Sequence, residues 1–286
     1  MQILLQTPEL LLNPILRLIA GLLLGVVVAW LAWRVGSLNT SGAWAAALTG
    51  GAVFGLGGLA WAVVLLTFFL SSSALSRLFR SRKIMVSEKF SKGSRRDWGQ
   101  VLANGGLGSA LAIAHYLLPG AAWPWLAFTG AMAAVNADTW ATEMGVLSAS
   151  LPRLVTTGKP VERGTSGGIS GLGSLAALGG AALVGLAAAL FPQGGPAWVV
   201  VGIAAAAGLA GAFFDSLLGA TVQAIYYCPR CEKETERHPL HTCQEETLLV
   251  RGWRWLDNDW VNFLASLVGA LTALGLAWLL AAATVS

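Results

Sequence analysis

Long apolar runs separated by short polar segments dominate this sequence of 286 residues. Because a helix needs about 20 apolar residues to cross a bilayer, these runs predict membrane-spanning helices. The predicted spans cover residues 14–34, 42–57, 58–79, 98–118, 122–146, 167–191, 197–224 and 260–282. The predicted fold class is all-α, a polytopic transmembrane helical bundle of about 7–8 spans that forms a single domain over residues 1–286.

Two segments leave their placement in the membrane open. The second apolar run is short and rich in glycine, and only the letters GLGG separate it from the third run. It therefore either crosses the membrane or dips into it and returns. The first 13 residues lack the basic segment that opens a cleaved signal peptide. We expect them to form a short interfacial helix.

The composition supports a membrane protein. Hydrophobic residues make up 56% of the chain and charged residues 11%, with a mean hydropathy of +0.67, whereas soluble domains are about one-quarter charged. The 35 glycines suit close helix packing, and the 13 tryptophans suit anchoring at membrane interfaces. In such a chain the net charge of +4 indicates orientation and not nucleic-acid binding.

Lysine and arginine lie almost entirely on one predicted side of the membrane. This side holds 17 of the 18, in the loops 77–96, 151–166 and 225–257 and at Arg34, and only Arg17 falls on the other side. The positive-inside rule therefore predicts that these loops are cytoplasmic.

Polar residues within the predicted spans gather toward the same cytoplasmic side. They are Asn104, Asp138, Glu143, Asp215, Asn258 and Asn262. The opposite halves of the spans are almost purely apolar. Because ionisable groups in a membrane are costly, this distribution predicts a functional pocket that opens to the cytosol and reaches into the membrane.

The acidic side chains are the strongest indication of chemistry. Neither span that carries Asp138 or Asp215 contains Lys or Arg, so these carboxyls must be protonated, paired with loop cations or bound to a metal ion. Gly211 and Gly219 flank Asp215 at helical spacing, which predicts that another group can approach this carboxylate closely. Glu143 follows Asp138 by five positions, about 140° around a helix, so both could ligate one ion only if the helix is bulged or ends there.

Two cytoplasmic loops resemble phosphate-binding segments. One carries basic residues directly before a helix, and the other is rich in Gly, Ser and Thr and also carries Lys159 and Arg163. Neither matches a Walker motif, and flexible loops with ordinary cytoplasmic charge remain the alternative. The predicted phosphate-binding groups are Lys92, Arg95, Arg96, Lys159 and the backbone of Thr165, Ser166, Gly167 and Gly168.

The segment CPRCEKETERHPLHTC in the loop 225–257 contains all three cysteines. Disulfides are disfavoured in the cytosol, and Cys228, Cys231, His241 and Cys243 together offer four ligands of the type that Zn²⁺ prefers. The spacing of the second pair is tighter than usual, so reduced, unliganded thiols remain the alternative. We expect a structural zinc site, located away from the membrane carboxylates.

Five motifs carry a family resemblance: RRDWGQVLANGG, NADTWATEMG, GTSGGISGLG, FFDSLLGATVQ and NDWVNFLASLVGA, in this order. From residue 37 onward the chain resembles the integral-membrane family that includes the chloroplast and cyanobacterial phytyl-phosphate kinases. The resemblance implies a CTP-dependent kinase that converts a prenyl monophosphate to the diphosphate. In that family the phytyl product serves tocopherol or phylloquinone synthesis.

The resemblance and the polar residues together suggest roles for the site. Asp138 and Asp215 would hold Mg²⁺, with Glu143 as the third acidic group. Asn104 and Asn262 would orient the nucleotide or a metal-bound water, and Asn258 is expected beside them.

The expected partners are CTP, a prenyl-phosphate lipid and the membrane. Three other interpretations remain open from the sequence. They are a cytidylyltransferase that forms a CDP-lipid, a transporter or flippase of lipid phosphates, and a non-catalytic assembly factor.

Overall fold

The computed structural model describes residues 13–79, 88–90, 92 and 95–285. The expected interfacial helix at the N-terminus lies outside the described residues. So does most of the first basic loop, including Arg80, Arg82 and Lys83.

Eight α-helices form a bundle within the described residues, which confirms the predicted fold class. They are α1 (Pro14–Arg34), α2 (Thr40–Ala52), α3 (Leu59–Leu78), α4 (Trp98–Leu117), α5 (Trp123–Gly145), α6 (Gly171–Ala188), α7 (Ala197–Thr221) and α8 (Asn258–Val285). Five of them, namely α1, α3, α6, α7 and α8, are long and apolar enough to cross a membrane by length and composition. The predicted number of 7–8 spans is thus approximate, because α2 is short and α4 and α5 are more polar.

The second apolar run extends along the whole of α1 and does not turn back. A π-helical turn, Val53–Gly57, continues α2. Near the middle of α1, a Cβ on Gly25 would lie only 2.5 Å from the carbonyl oxygen of Ala47. At its far end, Arg17 donates from Nε to the carbonyl oxygen of Gly55 over 2.9 Å. Arg17 lies on the side with few cations. It thus donates a hydrogen bond to a carbonyl group that the end of the helix leaves without an intrahelical partner.

Helix α5 lies at the centre and packs against α3, α4, α6, α7 and α8. Small residues allow this: Ala131 and Ala133 are fully buried, and a Cβ on Gly130 would lie 2.4 Å from the carbonyl oxygen of Gly269 on α8. Backbones that approach so closely gain van der Waals contact that larger side chains would prevent.

The glycines that flank Asp215 allow other parts of the protein to pack closely on both sides of this residue. A Cβ on Gly211 would lie 2.4 Å from the Cβ of Ala134 on α5, and one on Gly219 would lie 2.6 Å from Oγ of Ser166. Both positions face other parts of the protein. Their small size brings α5 and the loop that contains Ser166 against α7.

Two small antiparallel sheets interrupt the helical pattern in the loops. Strands β1 (Arg153–Leu154) and β2 (Gly168–Ile169) pair with each other. Strands β3 (Ile225–Cys228), β4 (Lys233–Thr235) and β5 (Leu248–Arg251) form a sheet in the order β4-β3-β5. We call residues 225–251 the cysteine ribbon. Strands of two to four residues are too short for a clear period-two pattern, which is why the sequence did not predict them.

Candidate functional site

A cavity of about 760 Å³ opens at the end of the bundle where the basic loops join the helices. It brings together most of the residues predicted for the site. These are Lys92, Arg96, Asn104, Asp138, Glu143, Thr165, Ser166, Gly167, Gly168, Asp215, Asn258 and Asn262. Arg95 and Lys159, which were also predicted for the site, are exposed and do not line the cavity.

Asp138 of α5 and Asp215 of α7 line the cavity from two helices that pack against each other. They lie close enough to interact electrostatically, and Glu236 of the cysteine ribbon adds a third negative charge near Asp215. The Oδ2 atom of Asp215 is buried and accepts no hydrogen bond from the described residues. Carboxylate oxygens gathered in this way are the ligands that Mg²⁺ prefers, so the donor set fits this ion.

Glu143 is held from another direction. Ser76 of α3 donates a hydrogen bond of 2.6 Å to Oε1 of Glu143, and Arg96 attracts its charge. Helix α5 stays regular through Gly145, so Glu143 and Asp138 project from different sides of it. The arrangement pairs Glu143 with Ser76 and Arg96.

Arg96 reaches the cavity as a partly buried cation. Its guanidinium lies 5.4 Å and 5.8 Å from the ring centres of Phe68 and Phe69, and its NH2 group donates to Oγ of Ser72 over 2.8 Å. Burial lowers the pKa of Arg96 to about 10, against the attraction of Glu143, which raises it. The side chain therefore remains charged at neutral pH and presents a fixed positive group to the cavity.

Lys92 links the starts of two helices at the cavity mouth. It donates to Oδ1 of Asp97, which caps α4, over 3.0 Å, and it forms an ion pair with Asp259 in the first turn of α8. Burial lowers the pKa of Lys92, but hydrogen bonds and attraction from Asp259 and Asp97 outweigh it and raise the pKa above its ordinary value. Sequence reasoning missed Asp259, because an acid in the first turn of a helix is expected for the helix dipole alone.

The loop 164–168 packs onto the C-terminal end of α7, one turn beyond Asp215. Gly167 has a φ of +83°, and a Cβ there would lie 2.5 Å from the backbone nitrogen of Ala220, so glycine is required for both conformation and space. Ser166 donates from Oγ to Oε1 of Gln223 over 2.8 Å. The sequence analysis named two cations in this loop, Lys159 and Arg163. Of these, Arg163 lines the cavity.

Helix termini and buried polar atoms give the cavity an affinity for anions and polar groups. The N-terminal turns of α4, α6 and α8 contribute Gln100, Ser170 and Asn258 to its wall, and helix N-termini favour phosphate groups. Several lining atoms are buried and have no hydrogen-bond partner within the described part of the chain. They are Oδ1 of Asn104, Nε of Arg163, Nε of Arg237 and Oδ1 of Asp259.

A smaller cavity of about 90 Å³ adjoins the first one. Apolar side chains of α1, α2 and α3 form most of its wall, including Val28, Phe54 and Leu65. It shares Arg96, Gln100 and Asn104 with the large cavity. The polar cavity therefore shares part of its wall with a small apolar cavity between the helices.

The four predicted zinc ligands come together at the edge of the cysteine ribbon. Ligand atoms of Cys228, Cys231, His241 and Cys243 all lie within 4.8 Å of one another. The hydrogen bond with His241 lowers the pKa of Cys243 to about 6, and that with Cys243 raises the pKa of Cys231 to about 11. At neutral pH Cys243 is therefore a thiolate, the form that binds metal ions.

The ribbon also reaches the large cavity, which the sequence did not predict, although none of the four predicted zinc ligands lines that cavity. Glu236 and Arg237, which directly follow β4, line the large cavity. Gln223 at the end of α7 donates to Oε1 of Glu236 over 2.9 Å. Sequence reasoning missed both residues because only the folding back of β4 brings this segment over the site.

Comparison with known proteins places this helical arrangement in a family. Residues 23–270 match the family described as integral membrane protein DUF92. The chain belongs to this family. The five sequence motifs and the bundle of apolar helices are thus features of an integral membrane protein of the DUF92 family.

The relatives come from distant organisms, and they align with this chain over most of their length. The chain is 34% identical to Protein PGR of Arabidopsis thaliana, over 90% of this chain and 94% of that protein. It is 32% identical to an uncharacterized membrane protein of Methanocaldococcus jannaschii, over 90% of this chain and 93% of that protein. An uncharacterized membrane protein of Synechocystis is 28% identical over 77% of this chain and 78% of its own. No solved structure matches this chain.

Proposed function

We propose that this DUF92 protein is a CTP-dependent kinase that phosphorylates a membrane-embedded prenyl monophosphate, of the phytyl type, to the diphosphate. One observation carries the proposal: a cavity lined by cations and carboxylates shares part of its wall with an apolar cavity between membrane helices. A prenyl phosphate has the matching form, a charged head and a long apolar chain. CTP would enter from the opening at the basic loops.

The side chains that line the cavity can provide what phosphoryl transfer requires, which is positioning and neutralisation of charge. Arg96 and Arg163 would hold phosphate oxygens, together with the amide groups of Ser166 and Gly167 and the positive ends of α4, α6 and α8. The amides predicted at Thr165 and Gly168 are not available for this, because they donate to the carbonyl oxygens of Glu162 and Thr165. The oxygen of the prenyl phosphate would form a bond to the γ-phosphorus of CTP while the bond to the β,γ-bridging oxygen breaks, which releases CDP.

Mg²⁺ is the proposed cofactor, and the carboxyls of Asp138 and Asp215 would hold it. When bound, the ion would supply positive charge that offsets the charge of the phosphates. Asn258 and Asn262 lie at the start of α8 on the same cavity wall and would orient the nucleotide or a bound water. Asn104, with a buried and unpartnered Oδ1 among the described residues, would do the same from α4.

The decisive experiment uses purified protein in detergent with Mg²⁺, CTP labelled at the γ-phosphate and a panel of prenyl monophosphates. We expect transfer of label to a prenyl diphosphate and release of CDP. Asp138→Asn and Asp215→Asn should each reduce this transfer by about 100-fold or more, because the amide keeps the shape but removes the charge that holds the cofactor.

Asp257→Asn is the matched control. Asp257 is exposed, lies outside the cavity wall and accepts hydrogen bonds from the backbone nitrogens of Asp259 and Trp260. Asparagine can keep this capping role, so transfer should stay at the wild-type rate. Release of pyrophosphate with formation of a CDP-lipid would instead identify a cytidylyltransferase, and no turnover with any nucleotide would reject the kinase.

A further inference from the structure

The cysteine cluster has the dimensions of a tetrahedral metal site. Sγ of Cys228 lies 3.5 Å from Sγ of Cys243, and Nδ1 of His241 lies 3.4 Å from the same sulfur. Four ligands around one Zn²⁺, with Zn–S bonds of about 2.3 Å, are separated from one another by about 3.6–3.8 Å. Side chains held this close need only small movements to ligate one ion.

Backbone conformation gives a second, independent indication of a metal. Glu232, directly after Cys231, has a φ of +54°, and Gln244, directly after Cys243, has a φ of +66°. Residues other than glycine rarely adopt this conformation, and it persists only where the surroundings impose it. Both exceptions follow a proposed ligand, as expected if ligation fixes the two turns.

The cluster encloses the segment that reaches the large cavity. Cys231 precedes β4, and His241 follows it, so a metal bound to both would close the chain between them into a loop. Glu236 and Arg237 lie within this loop and line the cavity.

Further contacts hold Arg237 in this loop. Its backbone nitrogen donates to Oγ1 of Thr235 over 3.2 Å, and its carbonyl oxygen accepts from Oγ1 of Thr247 over 2.9 Å. Nε of Arg237 is buried and has no partner among the described residues. A half-buried cation at the cavity wall, with one donor atom left unpartnered among the described residues, is suited to an anion that the protein binds there.

We propose that Cys228, Cys231, His241 and Cys243 bind one Zn²⁺, and that this ion holds the cysteine ribbon over the large cavity so that Arg237 contacts a phosphate group of the bound substrate. Zinc is thus a structural ion that also affects substrate binding, because it positions Arg237. The zinc site stands on its own geometry, whereas the role of Arg237 rests on the proposed function.

Metal content tests the zinc site directly. Full-length protein purified in detergent without added metal should contain about one Zn²⁺ per chain by mass spectrometry. The double variant Cys228→Ser with Cys243→Ser should lose it. Glu234→Gln is the control, because Glu234 is an exposed residue of β4 that is not a ligand, and it should keep the full zinc content.

Limited trypsin digestion of the wild-type protein tests whether zinc holds the ribbon, and it does not depend on the folding of a variant. Removal of zinc by a chelator should speed cleavage after Lys233 and Arg237 by about tenfold or more, because local opening exposes these bonds. Added Zn²⁺ should restore protection and Mg²⁺ should not. Wild-type protein without zinc, or cleavage that is equally fast with and without zinc, would overturn the proposal.

Nucleotide affinity tests the role of Arg237 in zinc-loaded protein. Arg237→Gln should keep its zinc and its protection from trypsin at Lys233 but should bind CTP about tenfold more weakly, because it lacks the charge that contacts phosphate. Unchanged affinity would remove Arg237 from the site. If zinc and protection are present but wild-type protein neither binds CTP nor transfers phosphate, the proposed function fails and the zinc site stands.

Discussion

At the scale of single residues, the surroundings separate side chains that look equivalent in the sequence. Arg95 and Arg96 are neighbours of the same type, and both were predicted to bind phosphate. Arg96 turns inward between the rings of Phe68 and Phe69 and lines the cavity, whereas Arg95 is exposed. The contacts of Arg96 with Phe68, Phe69 and Ser72 of α3 create this difference.

The two arginines therefore should respond differently to the same substitution. Arg96→Gln removes the cation that attracts Glu143 and should lower the free energy of unfolding by about 1–3 kcal/mol. It should also weaken CTP binding by about tenfold, because a phosphate-binding charge is lost. Thermal unfolding in detergent and nucleotide titration measure the two effects. Arg95→Gln serves as the control, and an equal loss in both variants would contradict this assignment.

At the scale of helices, small residues decide how closely the bundle packs. The helical spacing of Gly211, Asp215 and Gly219 was visible in the sequence, but it did not reveal what approaches the glycines. In the structure Gly211 faces Ala134 and Gly219 faces Ser166. The short strands of the cysteine ribbon likewise could not be predicted, because their pairing depends on residues that are distant in sequence.

Two glycines of α8 allow a matched test of this packing. A Cβ on Gly269 would lie 2.6 Å from both the Cβ of Ala134 and the carbonyl oxygen of Gly130, whereas a Cβ on Gly275 has nothing within 4 Å. Gly269→Ala should therefore lower the free energy of unfolding by about 1–3 kcal/mol. Gly275→Ala should leave it unchanged or raise it by up to about 1 kcal/mol, because alanine favours the helix. Thermal unfolding of both variants in detergent measures this difference. Equal stabilities of the two variants would show that the close contact of α5 with α8 tolerates an added methyl group at residue 269.

At the scale of the whole molecule, charge and polarity are distributed along one axis. The loops that hold most lysines and arginines lie at the end of the bundle where the large cavity opens. The connections at the opposite end, such as the one between α4 and α5, carry no charged residue. This asymmetry predicts that the site faces the cytosol.

Labelling of single introduced cysteines in intact cells tests the orientation. Ala122→Cys, between α4 and α5, should react with a membrane-impermeant maleimide added outside, because it is exposed at the end that lacks charge. Thr156→Cys, in the exposed loop 151–166, should react only after the cells are permeabilised. The wild-type protein gives the background from its three native cysteines. Reaction of Thr156→Cys in intact cells would place the site on the outer face and exclude cytosolic CTP as its substrate.

The sequence by itself determined the class of protein, the approximate helix boundaries and the residue types of the site. Apolar length fixes helices in a membrane, because the backbone must satisfy its own hydrogen bonds there. The cost of an ionisable group in the membrane similarly made Asp138 and Asp215 conspicuous.

Only the tertiary structure decided which polar residues meet. Arg163, Arg237, Glu236 and Asp259 joined the cavity wall, while Arg95 and Lys159 stayed outside it. The physical reason is that loop positions are set by contacts between distant segments, such as the hydrogen bond of Gln223 with Glu236, and no local pattern encodes them. The same reason applies to the cysteine ribbon, whose ligand spacing was readable from the sequence but whose place over the cavity was not.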